Sequence, residues 1–259
     1  MRLGRIHSFD GASLDEVKAQ GLSCVEFCRN DDNEAKSLIA AKEQVLSDLA
    51  RTGIQVSAVG RWNHHVQKDG KLDLENVALY RELLDTAVEL GAKTFVCGCN
   101  YDKSTTLFRN YSNAIEFFNM LTEHAGGRIR IALQNCDWEN FVTSPKQWDV
   151  ILPEVQGLGI KFDPSHAYNR GEDYLGLLSD YGEYVYHIHI KGTVHAGHRR
   201  VDDPPAGMDD INWSSFFAIL YSLKYDGDLS IEPHSGAWLG ERAKAGVLFT
   251  RDYIRKFII

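Results

Sequence analysis

Short apolar runs rich in β-branched side chains alternate along the chain with longer segments that have a helical period. A glycine stands at each return from a helical segment to the next apolar run, where a residue without Cβ ends a helix easily in the left-handed conformation. Seven such junctions connect eight predicted strands if RLGRIHSF is the first. The junction glycines are Gly21, Gly53, Gly91, Gly126 with Gly127, Gly157 with Gly159, Gly182 and Gly227.

The helical segments repeat their apolar residues three and four positions apart, which predicts one buried face on each helix. These faces include Val77, Tyr80, Leu84, Ala87 and Val88 in one segment and Trp213, Phe216, Phe217, Leu220 and Tyr221 in another. Strand–helix units averaging about 32 residues fit a closed (β/α)8 barrel. An open doubly wound sheet would carry Gly-x-Gly-x-x-Gly after its first strand, and SFDGAS does not match. We therefore predict an α/β fold, a (β/α)8 TIM barrel forming a single domain over residues 1–259.

Composition excludes several classes of partner. The 259 residues include 28 Lys and Arg against 36 Asp and Glu, a formal net charge of −8 that disfavours nucleic-acid binding. The N-terminus lacks the apolar core of a signal peptide and no run reaches membrane-spanning length, so we expect a cytoplasmic protein without a membrane partner. Five dispersed cysteines do not make a disulfide framework. Four of them are expected as small buried core residues, namely Cys24, Cys28, Cys97 and Cys99.

Polar side chains collect where the predicted strands end, which is the face on which barrel enzymes build their sites. These residues are His7, Ser8, Glu26, Asn63, His64, His65, Asn100, Gln134, Asn135, Asp163, His166, His187, His189, Lys191, Glu232 and His234.

Strand alternation predicts which of these side chains face the interior of the barrel. In YHIHIK the apolar face should meet the helices, so the opposite face, with His187, His189 and Lys191, points inward. The same alternation turns three carboxylates inward, those of Glu26, Asp163 and Glu232. Burying unpaired carboxylates costs several kcal/mol each, so a cation belongs among them. Either Lys191 supplies it, or a divalent metal is held by Asp163, His189 and Glu232.

Four strand-end pieces, LQN, FDPSH, HIHIKG and LSIEPH, resemble the sugar isomerase/epimerase superfamily, the xylose isomerase-like barrels. The segment PPAGMDDINWSSFFAILYSLKYDGDLSIE is similar to the same group. The resemblance implies one divalent metal, Mn²⁺ by preference and otherwise Mg²⁺, Co²⁺ or Zn²⁺, held by Glu, Asp, His and Glu. Three of these positions match Asp163, His189 and Glu232, and the remaining Glu is replaced by Gln134.

The replacement at Gln134 changes the expected chemistry. An amide oxygen can still bind Mn²⁺ or Mg²⁺, but an amide has no usable conjugate acid and cannot act as a base. Glu232 is then the candidate base that remains. One-base aldose–ketose isomerisation suits a single carboxylate better than the two-base epimerisation that the resemblance implies.

Other reactions stay open at this stage. A dehydratase of the inosose type is compatible with the same residues, with His166 or Lys191 assisting the loss of a hydroxyl group. A non-catalytic sugar-binding barrel is the main rival from another class, because Gln134 removes a base. An endonuclease IV-like activity is disfavoured by the net charge and by the absence of the Asp-x-His pattern from HRRVDDPP. The expected partner is a small sugar, and a homo-oligomer is left open.

The remaining candidates each have two interpretations. His166 either acts on the substrate, by hydrogen-bonding an oxygen or by relaying a proton, or serves the core. Lys191 either contacts a substrate oxygen or neutralises acids. Glu26 is either a sugar contact or a hydrogen-bonded structural carboxylate. His64, beside Trp62, either faces the sugar or is solvated. Arg199 either clamps an acid group or belongs to a solvated polar loop, HAGHRRVDD.

His187 lies deeper in its strand than the other candidates, and we interpret it as a hydrogen-bonded core histidine.

Overall fold

The computed structural model describes residues 1–7, 13–62, 65–232 and 235–259. The strands in this part of the chain are β1 (Arg2–Ile6), β2 (Cys24–Cys28), β3 (Gln55–Gly60), β4 (Gln67–Lys68), β5 (Lys71–Leu72), β6 (Thr94–Cys97), β7 (Arg130–Gln134), β8 (Leu158–Phe162), β9 (Val185–Ile190), β10 (Val194–Ala196), β11 (Arg199–Asp202) and β12 (Asp228–Ile231). The helices are α1 (Leu14–Ala19), α2 (Asp32–Ala40), α3 (Lys42–Thr52), α4 (Leu74–Glu89), α5 (Leu107–Ala125), α6 (Pro145–Ile151), α7 (Pro164–Asn169), α8 (Tyr174–Tyr181), α9 (Trp213–Ser222) and α10 (Glu241–Ile254).

Eight of these strands close into a parallel barrel in the order β1-β12-β9-β8-β7-β6-β3-β2. Helices follow the barrel strands along the chain, so the predicted (β/α)8 fold is confirmed. All eight predicted strands are present, although β1 ends at Ile6, before the end of RLGRIHSF. Four of the polar residues named at strand ends lie outside the described residues, namely Ser8, Asn63, His64 and His234.

The barrel's contacts divide the chain into two compact units. The first unit comprises residues 1–26, 52–57 and 162–259, and the second comprises residues 27–51 and 58–161. Within the first unit β1 pairs in parallel with β12, in register from Arg2 opposite Asp228. The guanidinium of Arg2 donates from Nε to Asp228 Oδ1 over 2.8 Å, and the Asp228 carboxylate is buried. A charge-assisted pair thus joins the first barrel strand to the last.

Two antiparallel hairpins were not predicted. β10 and β11 form one of them, so the HAGHRRVDD segment is a hairpin with Gly197 at its turn and not the polar loop expected from its composition. β4 and β5 form the other around Asp69 and Gly70, both with positive φ. The Asp-Gly pair is a strong hairpin signal, because two positive φ angles match the twist of the flanking strands.

The predicted left-handed glycine ends the helical segment at the early junctions but not at the last two. Glycines with positive φ end the first five helical segments, at Gly21, Gly53, Gly91, Gly126 with Gly127, and Gly157. Gly182, by contrast, has φ −59° and begins a 3-10 turn. Before β12 the left-handed residue is Lys224, at φ 56°. Gly227 is needed there for space, because a Cβ would collide with the Tyr225 hydroxyl.

The predicted helix faces are buried except at their margins. The apolar stripe of α4 is confirmed for Val77, Tyr80, Leu84 and Ala87, with Val88 only partly buried. In α9 Tyr221 is exposed, contrary to prediction. Its hydroxyl lies 3.0 Å from the carbonyl oxygen of Phe257, so it anchors the segment after α10 and does not fill the core.

The five cysteines carry free thiols, and Cys24, Cys28, Cys97 and Cys99 are buried as predicted. Burial raises the pKa of Cys24 to about 12. In the described ranges, no helix is both long enough and apolar enough to cross a membrane.

Buried amides fix the β4–β5 hairpin to α5 within the second unit. We call Gln67, Asn100, Asn110 and Asn113 the amide network. Gln67 Nε2 donates to Asn110 Oδ1 over 2.9 Å, and Asn113 Nδ2 donates to Gln67 Oε1 over 2.9 Å. Asn100 Oδ1 accepts from the backbone N–H groups of Val66 and Gln67. Each amide therefore finds its donors and acceptors inside the protein.

Candidate active site

A group of ionisable side chains lies at the carboxyl ends of strands in the first unit. His187 and His189 alternate along the inward face of β9, and Lys191 directly follows that strand. Glu232 follows β12, and Asp163 follows β8. The interior of the barrel covers all of them, since each is buried. We call these residues, together with Glu26, the carboxylate–imidazole cluster; its members are Glu26, Asp163, His187, His189, Lys191 and Glu232.

His189 lies between two carboxylates. Its Nδ1 is 2.9 Å from Glu232 Oε2, and its Nε2 is 2.9 Å from Glu26 Oε2. The same Glu26 oxygen is 2.8 Å from His187 Nε2. Glu232 accepts a further hydrogen bond at Oε1 from Lys191 Nζ over 2.9 Å. The side chains that alternation predicted to face inward therefore contact one another directly.

The charge state of Glu26 follows from these contacts. Burial alone would raise the pKa of this carboxyl, but the charges and hydrogen bonds of His189 and His187 outweigh burial and hold the pKa well below its usual range. An ionised Glu26 accepts hydrogen bonds only, so each histidine donates its Nε2–H to it. His189 is then either an imidazolium that also donates Nδ1–H to Glu232 Oε2, or a neutral ring whose Nδ1 lone pair can bind a metal ion lying between it and Glu232.

The local sequence fixes the orientation of Asp163. Asp163 is the N-cap of α7, and its Oδ1 accepts from the Ser165 backbone N–H over 2.9 Å and from the Ser165 hydroxyl over 2.7 Å. Pro164 occupies the first helical position, where its missing N–H costs nothing. His166 Nε2 lies 3.5 Å from the other oxygen, Asp163 Oδ2. The FDPSH piece therefore builds a rigid turn that holds one carboxylate and one imidazole side by side.

The donor set fits a divalent cation. One ligand atom from each of Asp163, His189 and Glu232 lies within 4.8 Å of the others, and all three residues are buried. Metal bonds of about 2.0–2.3 Å to carboxylate oxygen and imidazole nitrogen span such separations with small side-chain adjustments. Glu26 on the far nitrogen of His189 supplies the outer carboxylate that commonly orients a metal-binding histidine. The residues present thus have the chemistry that the metal hypothesis requires.

The other predicted site residues differ in burial and in surroundings. Gln134 ends β7 in the second unit, buried and in register with Lys161 of β8. Glu26 has the surroundings of a structural carboxylate, one of its two interpretations. Arg199 is exposed on β11. His64 lies outside the described residues.

Sequence reasoning missed Lys161. It is buried in β8 with its Nζ 5.3 Å from the centroid of the Trp62 ring. The signal was available in IKFD, because the alternation that turns Asp163 inward also turns Lys161 inward. His195 was also missed; its Nε2 is 2.7 Å from Asn169 Oδ1, and its ring packs 5.0 Å from Tyr168.

Fold and site together define a class: a parallel (β/α)8 barrel with a buried carboxylate–imidazole cluster at its strand ends. The sequence model of the family described as xylose isomerase-like TIM barrel matches residues 14–253, and the chain belongs to that family. This membership confirms the resemblance carried by the strand-end motifs. No curated protein matches the sequence.

Solved structures share the fold at low sequence identity. A xylose isomerase domain protein from Planctomyces limnophilus is 18% identical, with a TM-score of 0.76 over 98% of this chain and 97% of that one. D-psicose 3-epimerase from Clostridium cellulolyticum H10, solved with D-tagatose, is 15% identical, with a TM-score of 0.78 over 99% of each chain. The 3-keto-D-glucoside 4-epimerase of E. coli has the same identity, 15%, the same TM-score, 0.78, and the same coverage, 99% of each chain.

Proposed function

We propose that the protein is a metal-dependent isomerase or epimerase that acts on a sugar or a related polyol by removing a proton next to a carbonyl group. The observation that carries this proposal is the convergence of Asp163, His189 and Glu232, whose ligand atoms lie within 4.8 Å of one another in a buried site. The family membership and the sugar epimerases among the structural neighbours support the substrate class.

Asp163, His189 and Glu232 would hold the metal, and the amide oxygen of Gln134 is our proposed fourth ligand. Mixed oxygen and nitrogen donors suit Mn²⁺ first, with Mg²⁺, Co²⁺ and Zn²⁺ as alternatives. When bound, such a metal withdraws electron density from a carbonyl oxygen and so acidifies the neighbouring C–H group.

Glu232 is the proposed base. Its carboxylate is only 8% exposed and is fixed by Lys191 at one oxygen and by His189 at the other. It takes the proton from the carbon next to the carbonyl and returns it to the neighbouring carbon, so no net proton is gained or lost. His166, beside Asp163, would relay the second proton, which leaves the substrate hydroxyl that becomes a carbonyl and reaches the carbonyl oxygen that becomes a hydroxyl. One base acting on adjacent carbons favours aldose–ketose isomerisation.

The supporting residues divide by their contacts. Glu26 is assigned to positioning His189, because its carboxylate already accepts from two histidines. Lys191 orients Glu232 through its hydrogen bond to Oε1. Because its ammonium lies beside the proposed base, it would also contact an oxygen of a substrate bound there. Arg199, exposed on β11, is a candidate sugar contact, and so is His64, which lies outside the described residues.

A non-catalytic sugar-binding barrel is the second candidate, and the neutral amide of Gln134 in place of a carboxylate is the observation that favours it. Metal content and hydrogen exchange separate the two. The full chain is stripped with a chelator, reloaded with Mn²⁺ and assayed for bound metal, and ketoses are then incubated with it in D₂O. We expect one metal per chain and α-deuterium in the recovered sugar only after reloading. Absence of α-deuterium both with and without Mn²⁺ overturns the proposed catalysis, while bound sugar without exchange supports the second candidate.

A further inference from the structure

A cavity of about 400 Å³ lies within the second unit, where the segments 65–73 and 100–103 meet. Its two buried lining residues, Gln67 and Asn100, belong to the amide network, and their side chains are already hydrogen-bonded. Small-molecule sites usually measure about 300–1,000 Å³. We call this space the hairpin cavity; its remaining lining residues are His65, Lys68, Asp73, Tyr101, Asp102 and Lys103.

Hydrogen bonds hold the two segments of the hairpin cavity in place without a ligand. Asp102 Oδ2 accepts from the backbone N–H of Gly70 over 2.7 Å, which ties the segment after β6 to the hairpin turn. The backbone N–H of Asp102 in turn donates to Asn110 Oδ1 over 2.7 Å. The ring of Tyr101 packs edge-on against Phe141, with centroids 5.8 Å apart. A cavity with fixed walls has little conformational entropy to lose when a ligand binds.

The charged groups of the hairpin cavity are of both signs. Lys68 and Lys103 contribute two ammonium groups, and within the described residues neither forms an ion pair. Asp73 and Asp102 contribute two carboxylates, so the formal net charge is 2 − 2 = 0 with the imidazole of His65 neutral. The cavity therefore offers strong donors and strong acceptors without an excess of either charge.

Hydroxyl groups suit such a lining, because one hydroxyl oxygen accepts from an ammonium while its proton is donated to a carboxylate. A phosphate would be attracted by the lysines and repelled by the acids. The half-exposed ring of Tyr101 adds an apolar face for the C–H groups of a sugar ring.

We propose that the hairpin cavity is a carbohydrate-binding site for an uncharged sugar ring. Tyr101 packs against the ring, and Lys103 and Asp73 hydrogen-bond its hydroxyl groups. The inference goes beyond the proposed function and does not rest on it, because every residue of the cavity belongs to the second unit and none is assigned to the metal or to proton transfer.

Methyl glycosides test the inference, because their acetal carbon leaves no carbonyl group on which the proposed reaction could act. The probes are the methyl β-D-pyranosides of glucose, galactose and xylose, with inorganic phosphate as the charged comparison. Binding to the full chain is titrated by saturation-transfer NMR after metal removal and again after reloading with Mg²⁺, which is diamagnetic. We expect at least one glycoside to bind more tightly than phosphate, with equal affinity in the two metal states.

Two variants and a matched control locate the binding. Tyr101→Ala removes the ring and should weaken glycoside binding about tenfold, and Lys103→Met should weaken it about threefold or more. Phe249→Ala removes a ring on α10 that is 39% exposed, against 43% for Tyr101, and should bind as wild type. Lys103 is exposed, so its variant tests the site even if Tyr101→Ala fails to fold.

Four results overturn the inference. They are a wild-type protein that binds no glycoside, a folded Tyr101→Ala or Lys103→Met variant that binds like wild type, phosphate that binds more tightly than every glycoside, and glycoside binding that appears only after reloading with Mg²⁺. The last result would assign the binding to the residues that hold the metal. Hydrogen exchange is measured separately, so absent α-deuterium refutes the proposed catalysis and leaves glycoside binding at the hairpin cavity intact.

Discussion

The carboxylate–imidazole cluster and the amide network are both buried groups of polar side chains, yet they differ in chemistry. In the amide network, Gln67 donates to Asn110 and accepts from Asn113, and every partner is neutral. In the carboxylate–imidazole cluster, His189 is held between the carboxylates of Glu26 and Glu232. An amide carries donors and an acceptor and can be satisfied by other amides, whereas ionised carboxylates only accept.

We infer that the amide network anchors a hairpin, whereas the cluster supplies the proposed chemistry. A neutral network is complete when its hydrogen bonds are complete, so it gives a ligand nothing to neutralise. Two carboxylates on one imidazole leave a negative site whose charge is balanced by a proton, an ammonium or a metal. We therefore expect substitutions in the cluster to change metal binding and turnover, and substitutions in the network to change stability alone.

The largest expected effect is on turnover. Glu232→Gln keeps the shape of the side chain but removes the proposed base and one charged ligand. We expect turnover to fall by about 10³-fold and metal content to decrease, measured by sugar isomerisation and by elemental analysis of the purified protein. The exposed Glu183→Gln is the matched control and should behave as wild type. A Glu232→Gln variant with normal turnover would remove Glu232 from the mechanism.

The amide network should respond in the opposite way. Gln67→Leu removes one hydrogen bond to Asn110 Oδ1 and the acceptor of Asn113 Nδ2 in a buried network, which lowers the free energy of unfolding by about 2–4 kcal/mol. Urea denaturation measures this loss. Metal content per folded chain should not change. A loss of bound metal with unchanged stability would contradict the separation drawn between the two regions.

Asp209 gives an acid without the cluster's compensating cations. It accepts from the indole Nε1 of Trp213 over 2.9 Å, and burial raises its pKa to about 6. A carboxyl whose pKa is higher in the folded state favours folding fully below its unfolded pKa and loses that contribution as the pH rises through about 6.

Asp209→Asn should therefore stabilise the protein at pH 8 by up to about 2 kcal/mol and change little at pH 4. Thermal or urea unfolding of both proteins across this range measures the difference. The same stabilisation at both pH values would show that the carboxyl does not titrate in this window.

The smallest effect is expected at the position where a neutral amide replaces the usual acid. Gln134→Glu adds a charged oxygen donor, and we expect metal affinity to rise by about tenfold, measured by competition with a chelating dye. Gain of epimerase turnover in the same variant would indicate a second base. If neither quantity changes, Gln134 does not bind the metal.

Much of the fold was predictable because the hydrophobic periodicity and the positions of the glycines indicate the same elements. The β9 sequence YHIHIK alternates strictly, so its inward face could be assigned from the residues alone, and the contacts of His189 follow from that assignment. The contact of Lys191 with Glu232 could be foreseen as a class of interaction, since buried acids require cations. The exposure of Tyr221 could not be foreseen, because the partner of its hydroxyl comes from a distant segment.

Other features depend on packing that a sequence read locally does not contain. Lys224 takes the left-handed conformation before β12 although a glycine stands three residues later, and Gly227 is needed instead because Tyr225 leaves no room for a Cβ. Lys161 was missed although the alternation that turns Asp163 inward applies to it equally, because it lies inside its strand and not at the strand end. The pairing of Glu26 with two histidines required three-dimensional positions, since its partners are 161 and 163 residues away in the chain.

The ion pair between Arg2 and Asp228 has a consequence for biosynthesis. These residues are separated by 226 positions, and β1 pairs with β12 along its length. During translation β1 therefore leaves the ribosome long before its neighbour on that side exists, and one of its edges stays open until β12 emerges. An unpaired edge is a template for aggregation. Chaperone demand should accordingly persist until β12 has emerged and should drop once β12 pairs with β1.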